Sequence, residues 1–307
     1  MRAFHHFIFA CFFGTLAGCN SSSGAMTSNL NGGTNGGNPT GTNTATQVAP
    51  ISASVGPNTV TAVIDPATNV PKFAINGTDI GPTVLATNAY LLKGGIAAYS
   101  DTGQAPNPLG LPPIPVPRRF GFIAQTAGSV VALAATNTGT VAETSGQHYA
   151  RLVSTDLPTS GSARYNGGYA ATFNAIDGAG REIGVVGVIT GTATLDADLA
   201  KQTVEGNITD RAFYPSVTGT ISVADVPANL RLQPANIDAN GRFAGVTSGT
   251  GFNPTSSAAP WNAGSGTYEG AISGATGNEI IGAATTQWTN PSQANTFSER
   301  GIFIGSD

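Results

Sequence analysis

The stretch Val186-Gly-Val-Ile-Thr-Gly-Thr-Ala-Thr-Leu195 alternates two kinds of side chain, and this alternation decides the fold class. Successive side chains of a β-strand point to opposite faces. One face would carry Gly187, Ile189, Gly191, Ala193 and Leu195, and the other Val186, Val188, Thr190, Thr192 and Thr194. Glycine alternating with large residues suits a small, tightly curved barrel, because glycines relieve crowding at bends while large side chains fill the interior.

The same alternation recurs through the second half of the chain. About eight short strands, separated by turn signals, fit between residues 161 and 307. Further examples are Phe243 with Gly245, Tyr268 with Gly270, Ile272 and Gly274, and Gly301 with Phe303 and Gly305. Eight strands enclose an interior just wide enough for packed side chains, and closure leaves no exposed strand edge. We therefore predict an eight-stranded antiparallel β-barrel over residues 159–307.

Residues 51–158 also have a strand-and-turn texture, so the predicted fold class is all-β. The predicted strands are Thr59–Ile64, Lys72–Ile75, Asn88–Tyr99, Arg118–Gln125, Ser129–Ala135 and Gln147–Val153. Closely spaced prolines between residues 105 and 117 predict an exposed loop with extended segments, because proline lacks the N–H that a strand ladder needs. We expect this half to form a smaller β-rich, handle-like domain before the barrel.

The N-terminus carries a short apolar run, Phe7–Phe13, followed by Leu16-Ala-Gly-Cys19. This arrangement resembles the lipobox of bacterial lipoproteins, and the run is too short to span a bilayer core of roughly 30 Å. The resemblance implies a signal peptide over 1–18, lipidation of Cys19 and anchoring at the outer membrane or cell surface. The alternative is an ordinary secretory signal in which Cys19 is incidental. Residues 19–50 are rich in Ser, Asn, Gly and Thr, which predicts a flexible tether.

The few cysteines and histidines limit the chemistry. Cys11, His5 and His6 would leave with the signal peptide, so Cys19 and His148 are the sole cysteine and histidine of the mature chain. An intramolecular disulfide and a cysteine-type zinc site are therefore excluded, and every proposal that needs several histidines is weakened. The net charge of −4, without a basic patch, gives no support to a nucleic-acid partner.

Several glycine-rich motifs in the second half resemble one known family. They are Tyr165-Asn-Gly-Gly-Tyr169, Gly191–Leu199, Val204–Ile208, Gly241–Gly245, Gly266–Gly270, Gly274–Gly282 and Gly301–Gly305. In this order they resemble the barrel domain of transferrin-binding protein B and related surface lipoproteins of Gram-negative bacteria. Leu199 stands where the family often has Phe, and Ala275-Thr-Gly277 replaces a common Phe/Tyr-Gly-Pro turn. The chain also has one handle-plus-barrel unit where transferrin-binding protein B has two.

The resemblance implies a lipid-anchored, non-enzymatic binding protein that recognises a host or environmental protein in iron acquisition. It does not imply transferrin as the ligand. Two alternatives stay open, a haem or small-molecule carrier and a structural or adhesive surface lipoprotein. No cofactor is predicted, except haem under the carrier alternative, and no metal site is predicted.

Candidates for catalysis are few. Asp196 and Asp198 would point the same way on a strand, as a glycosidase pair requires, but their position beside Lys201 at a strand end favours a turn. No Gly-x-Ser-x-Gly motif is present, and His148 would be the sole histidine base for a serine nucleophile. We interpret Glu279 as an acceptor of backbone N–H groups in its own turn.

Candidates for ligand binding are aromatic residues and the single histidine. His148 with Tyr149, or with Tyr90 or Tyr99, could ligate haem iron. The alternative for His148 is a solvent-facing position on an edge strand. Trp261 and Trp288 lie in sequence contexts typical of loops and strand ends. They could anchor a protein interface or close the mouth of the barrel.

Overall fold

The computed structural model describes residues 45–64, 71–82, 84–85, 95–105, 114–136, 144–178, 180, 182–215, 229–250, 262–290 and 295–307. Residues 42–307 form one compact unit. Every regular element in the described ranges is a β-strand, and none of the described residues forms a helix long and apolar enough to cross a membrane. The predicted all-β class is confirmed.

The strands before the barrel form three small sheets. In chain order they are β1 (Thr46–Val48), β2 (Ile51–Val55), β3 (Val60–Ile64), β4 (Pro71–Ile75), β5 (Thr78–Pro82), β6 (Val84–Leu85), β7 (Ala97–Ala105), β8 (Ile114–Gln125), β9 (Ser129–Thr136), β10 (Thr144–Arg151) and β11 (Thr155–Leu157). The largest sheet has the order β2-β10-β9-β8-β7-β6, a second sheet has the order β3-β4-β5, and β1 pairs with β11 as a two-stranded ribbon.

Eight further strands close into the predicted barrel. They are β12 (Ser162–Ile176), β13 (Glu182–Asp198), β14 (Thr203–Pro215), β15 (Asn229–Asn236), β16 (Arg242–Thr250), β17 (Asn262–Ser273), β18 (Glu279–Asn290) and β19 (Asn295–Ser306). Each strand runs antiparallel to its neighbours, and β19 returns to β12 with Phe303 opposite Tyr169. The prediction of an eight-stranded antiparallel barrel is confirmed.

Glycines inside the barrel lie beneath aromatic rings. Gly282 is opposite Phe303, and Gly270 is opposite Phe243. A Cβ atom at either glycine would overlap the facing ring, so the absence of a side chain creates the space that the ring fills. The predicted faces of β13 are also confirmed, because Ile189 is buried in the barrel interior while Val188 packs on the outside. Glycine and aromatic positions are thus complementary parts of one packed interior.

The largest sheet lies between the barrel and the small β3-β4-β5 sheet. One of its faces packs Phe122 and Leu133 into the same buried cluster as Ile281 and Ile302 of the outer barrel wall. Its other face contributes Ile123 to a cluster with residues of the small sheet. The large sheet therefore buries apolar side chains on both of its faces, against the barrel on one side and against the small sheet on the other.

The predicted loop over 105–117 is wrong at its second end. Ile114–Pro117 begins β8 and pairs with β7, with Pro115 opposite Gln104 and Pro117 opposite Thr102. A strand directs successive N–H groups to opposite sides, so prolines two residues apart remove donors from one side alone. The other side can keep its pairing. The predicted strand Asn88–Tyr99 begins in residues outside the described ranges, and β7 starts at Ala97.

Candidate functional site

The structure separates the residues predicted to bind a ligand. Cys19 and Trp261 lie outside the described residues, as does Tyr90. His148 and Tyr149 are neighbours on β10, so their side chains leave opposite faces of the sheet. Tyr99 lies on β7, three strands from β10 and therefore about 14 Å away across the sheet. The described geometry does not bring His148 together with either tyrosine at one iron.

Tyr149 is buried between the large sheet and the barrel. Its hydroxyl donates a hydrogen bond of 3.3 Å to Glu269 Oε1 on β17. Burial, followed by the charge of Glu269, raises the pKa of Tyr149. The residue therefore stays a neutral phenol at physiological pH and acts as a hydrogen-bond donor between the two layers.

His148 faces the other way and is half-buried. Burial lowers the pKa of its imidazole, and a hydrogen bond to the Ala53 backbone partly opposes this shift. Its Nδ1 atom is buried without a hydrogen-bond partner in the described part of the chain. His148 is therefore not the solvent-facing residue of the alternative interpretation.

Trp288 lies inside the barrel, in a network of buried polar groups that the sequence did not predict. Glu299 accepts hydrogen bonds from Trp288 Nε1 and the Tyr169 hydroxyl, both at 2.8 Å, and from Arg211 Nη2 at 2.5 Å. The side chains of Arg211 and Glu299 are 1% and 0% exposed. The Arg211 guanidinium also lies 5.6 Å from the centre of the Trp288 ring. A partner protein could not reach this indole while the barrel is closed.

Removing a charge from water costs several kcal/mol, which attraction to the partner and further hydrogen bonds must offset. Glu299 meets this condition because it accepts from three donors. A sequence signal for this network existed. Glu299 has the same strand parity as Gly301 and Phe303, which places it on the inner face of β19.

A second set of buried polar contacts joins the large sheet to the barrel. Gln147 of β10 donates hydrogen bonds from Nε2 to the carbonyl oxygens of Ala284 at 2.8 Å and Gly301 at 2.6 Å. Glu279 accepts hydrogen bonds from the hydroxyls of Thr126, at 2.8 Å, and Ser129. The sequence predicts that Glu279 accepts backbone N–H groups of its own turn. In the structure its carboxylate instead joins the barrel to the β8–β9 turn.

A groove of about 620 Å³ lies on the outer barrel wall. It is lined by residues of β12, β13 and β14, by Lys201 in the turn between β13 and β14, and by Pro234 of β15. Asp196 pairs with Arg164 at 2.6 Å and Asp198 pairs with Lys201 at 2.7 Å. Hydrogen bonding from Lys201 lowers the pKa of Asp198, whereas a glycosidase acid needs a raised pKa. Asp196 and Asp198 thus form exposed ion pairs at a strand end and turn. This agrees with the sequence interpretation, which favours a turn over a glycosidase pair.

Within the described residues, no three side chains of His, Cys, Asp or Glu come together as a metal site.

Comparisons with known proteins find similarity in structure and not in sequence. No family model matches the chain, and no curated protein is significantly similar to it. Transferrin binding protein B of Haemophilus parasuis matches with 10% identity over 84% of this chain and 44% of that protein, at a TM-score of 0.42. The isotype 1 protein of Neisseria meningitidis matches with 12% identity over 84% and 43%, at a TM-score of 0.41. The N-lobe domain of lactoferrin binding protein B of Moraxella bovis matches with 13% identity over 67% and 79%, at a TM-score of 0.29.

The chain spans less than half the length of these two transferrin binding protein B chains. The eight-stranded barrel itself is seen in the strand pairing of this chain, and the family resemblance that the sequence motifs indicate stays a prediction.

Proposed function

We propose that the chain is a lipid-anchored, non-enzymatic surface protein that binds a protein ligand and serves iron acquisition. One observation supports a protein ligand over a small molecule such as haem. The barrel interior is filled by side chains, from Tyr165 near one end to Phe297 near the other, with the Arg211–Glu299 pair among them. A carrier barrel keeps a cavity for its ligand, whereas a packed barrel is a rigid support for binding at its outside.

The position of the connections supports binding at one end of the barrel. We call the end with the short turns 199–202, 237–241 and 274–278 the near end. At the opposite, far end, residues 216–228 connect β14 to β15 and residues 251–261 connect β16 to β17. Long connections on a rigid scaffold are common sites of recognition. Trp261 lies in the second of these connections, so we propose it as an anchor for the partner.

The proposed anchor is the lipid on Cys19, which would hold the protein at the outer membrane or cell surface. The domain division that goes with it is a signal peptide over 1–18, a tether predicted over 19–50 whose residues 46–48 form β1, a handle over 51–158 and the barrel over 159–307. Two acyl chains would give stable attachment, where a single chain is marginal.

Anchoring is tested by growing the expressing bacteria with labelled palmitate. The wild-type chain should incorporate label and fractionate with membranes, and Cys19→Ala should do neither. Equal labelling of both chains would contradict lipidation at Cys19.

The ligand class is tested with the purified mature protein. The proteins compared above are named for binding transferrin or lactoferrin, so these two are the first probes, followed by serum and spent growth medium. A haemin titration, followed by absorbance in the Soret region, tests the carrier alternative. The proposal predicts a retained protein and an unchanged haemin spectrum. A saturable Soret shift without a retained protein would favour the carrier.

A further inference from the structure

β1 (Thr46–Val48) lies within the predicted tether, residues 19–50, and covers the near end of the barrel, so the prediction of a flexible tether is wrong for its last residues. β1 pairs with β11, with Thr46 opposite Leu157 and Val48 opposite Thr155. Val48 and Leu157 are buried in the same cluster as the side chains of the barrel interior. The ribbon therefore contributes to the barrel core, although neither of its strands belongs to the barrel wall.

The ribbon is also bonded to the turns at the near end. The Asp156 N–H donates to the Ala275 carbonyl oxygen at 2.8 Å, in the turn between β17 and β18. A cavity of about 110 Å³ separates the ribbon from two other turns and is lined by Thr46, Leu157, Leu199 and Ile237 among others. Residues from three near-end turns thus meet the segment through which the tether enters the fold.

Arg151 fastens the chain just after β1. Its guanidinium donates to the carbonyl oxygens of Ala49 at 3.0 Å, Ile272 at 2.9 Å and Asn240 at 2.9 Å. These three residues belong to the β1–β2 link, to β17 and to the β15–β16 turn. The arginine is 1% exposed, so loss of its side chain would leave buried carbonyl groups without these donors. A lysine could not reproduce the planar array of donors that reaches three acceptors.

We propose that residues 46–49 are a strap, with Arg151 as its clasp, that fixes the attachment point of the tether at the near end of the barrel. The barrel is then held by its near end and presents its far end away from the membrane. This inference rests on the proposed lipid anchor and adds to it the direction in which the barrel is displayed.

The barrel height and the reach of the tether together mean that the attachment point determines which end of the barrel lies nearer the membrane. The 15 residues of β12 extend about 50 Å along the strand, which gives a barrel height of about 35–40 Å for an ordinary strand tilt. Residues 20–45, with the coil behaviour predicted from their composition, reach about 30 Å. Because the tether is no longer than the barrel is high, the end that carries the strap stays nearer the lipid on average.

Hydrogen exchange tests the strap on the full mature protein in detergent. In the wild type, amides of residues 46–49 and 155–157 should exchange at least about tenfold more slowly than those of residues 20–44. Arg151→Lys should raise exchange in the strap and in 155–157 about tenfold or more and leave the β13 and β18 amides unchanged. Arg164→Ala is the matched control, since it removes an exposed arginine of the barrel wall and should alter neither segment.

Unprotected strap amides in the wild type would overturn the proposal, as would unchanged strap exchange in Arg151→Lys. The wild-type measurement needs no variant, so a substitution that unfolds the whole chain cannot leave the question open.

Energy transfer tests the orientation. Single cysteines at Ala239→Cys, on the near end, and Gly178→Cys, on the far end, are labelled with a donor dye in protein anchored to phosphatidylcholine vesicles that contain an acceptor lipid. Both positions are exposed. Transfer should be clearly more efficient from position 239, and equal or reversed efficiencies would overturn the proposed orientation. If the lipid anchor itself is absent, the protein will not float with the vesicles and the mass of Cys19 will be unmodified. These two readouts distinguish failure of the proposed anchor from failure of the proposed orientation.

Discussion

The Tyr268 hydroxyl donates a 2.5 Å hydrogen bond to the Gln233 carbonyl oxygen at the point where two barrel strands separate. The described pairing of β15 with β16 stops at Leu232 opposite Thr247 and resumes as a single bridge from Ile237 to Phe243. The tyrosine thus supplies a donor where the ladder has none. Gly245 leaves room for its ring, since a Cβ there would lie 2.5 Å from the ring.

Tyr268→Phe should lower the free energy of unfolding by about 1–3 kcal/mol, because the half-buried Gln233 carbonyl oxygen loses its donor. Urea unfolding of the mature protein measures the change. Thr267→Ala, the exposed neighbour on the same strand, is the control and should stay within about 0.5 kcal/mol of the wild type. A Tyr268→Phe variant as stable as this control would show that the hydrogen bond contributes nothing.

The same tyrosine should contribute to loss of stability at alkaline pH. Burial, followed by the charge of Glu205, raises the pKa of Tyr268 to about 12 in the fold, against an ordinary value of 10.0. Between these values the unfolded chain releases a proton that the folded chain keeps, so this contribution is present below pH 10 and is lost as the pH rises towards 12. Urea midpoints from pH 9 to pH 11 should fall less steeply in Tyr268→Phe than in the wild type, and equal slopes would contradict the prediction.

Glu299→Gln should destabilise the barrel far more than loss of a surface carboxylate. It leaves the buried Arg211 guanidinium without its counter-charge, which costs about 3–5 kcal/mol for buried pairs. Asp196→Asn breaks the exposed pair with Arg164 and should cost less than about 1 kcal/mol. Thermal unfolding of the two variants provides the comparison. Similar losses in both would mean that the interior network is not tightly desolvated.

Gly282→Ala should destabilise the protein through steric overlap with the Phe303 ring. Overpacking of a filled core costs about 1–3 kcal/mol. Gly178→Ala is the matched control, because a Cβ at this exposed turn position meets nothing within 4 Å. Combining Gly282→Ala with Phe303→Leu should cost less than the sum of the two single changes, since the smaller side chain relieves the overlap with the ring and leaves the overlap of the new Cβ with the Glu269 carbonyl oxygen. Strict additivity would contradict the pairing of glycine with ring.

His148 should make the fold less stable in mild acid. Its pKa in the fold is lowered from 6.5, so the unfolded chain binds more protons as the pH falls below about 6.5, and stability falls with it. The difference in urea midpoint between pH 7 and pH 5 should shrink in His148→Gln. Since His148 is the sole histidine of the predicted mature chain, an unchanged pH dependence would assign the effect to carboxylates instead.

The sequence predicts the barrel well because strand parity is a local property. The alternation around Ile189 and Leu195 correctly assigns inner and outer faces without knowledge of any partner strand. Parity also places Glu299 inside, but its bonds to Arg211, Trp288 and Tyr169 come from three other strands. Such contacts depend on barrel closure and register, which a single strand pattern does not contain.

The contacts between the large sheet and the barrel are still less accessible to sequence reasoning. Gln147 bonds Gly301 across 154 positions, and Arg151 bonds Ile272 across 121. Neither residue belongs to a recognisable motif, since each simply follows the two-residue period of β10. The loop predicted around the prolines is wrong at residues 114–117 for a related reason. Whether a strand can pair depends on the spacing of its prolines more than on their number.

The most direct test of the proposed function is partner capture by the mature protein anchored on vesicles. Serum and spent growth medium are passed over the wild type, over Trp261→Ala, and over Gln287→Ala as an exposed control on the outer wall. Retained proteins are identified by mass spectrometry, and haemin is titrated against the same preparation. We expect the wild type and Gln287→Ala to retain a protein, Trp261→Ala to retain at least about tenfold less of it, and the haemin spectrum to show no Soret shift. No retained protein together with a saturable Soret shift would contradict the proposed function.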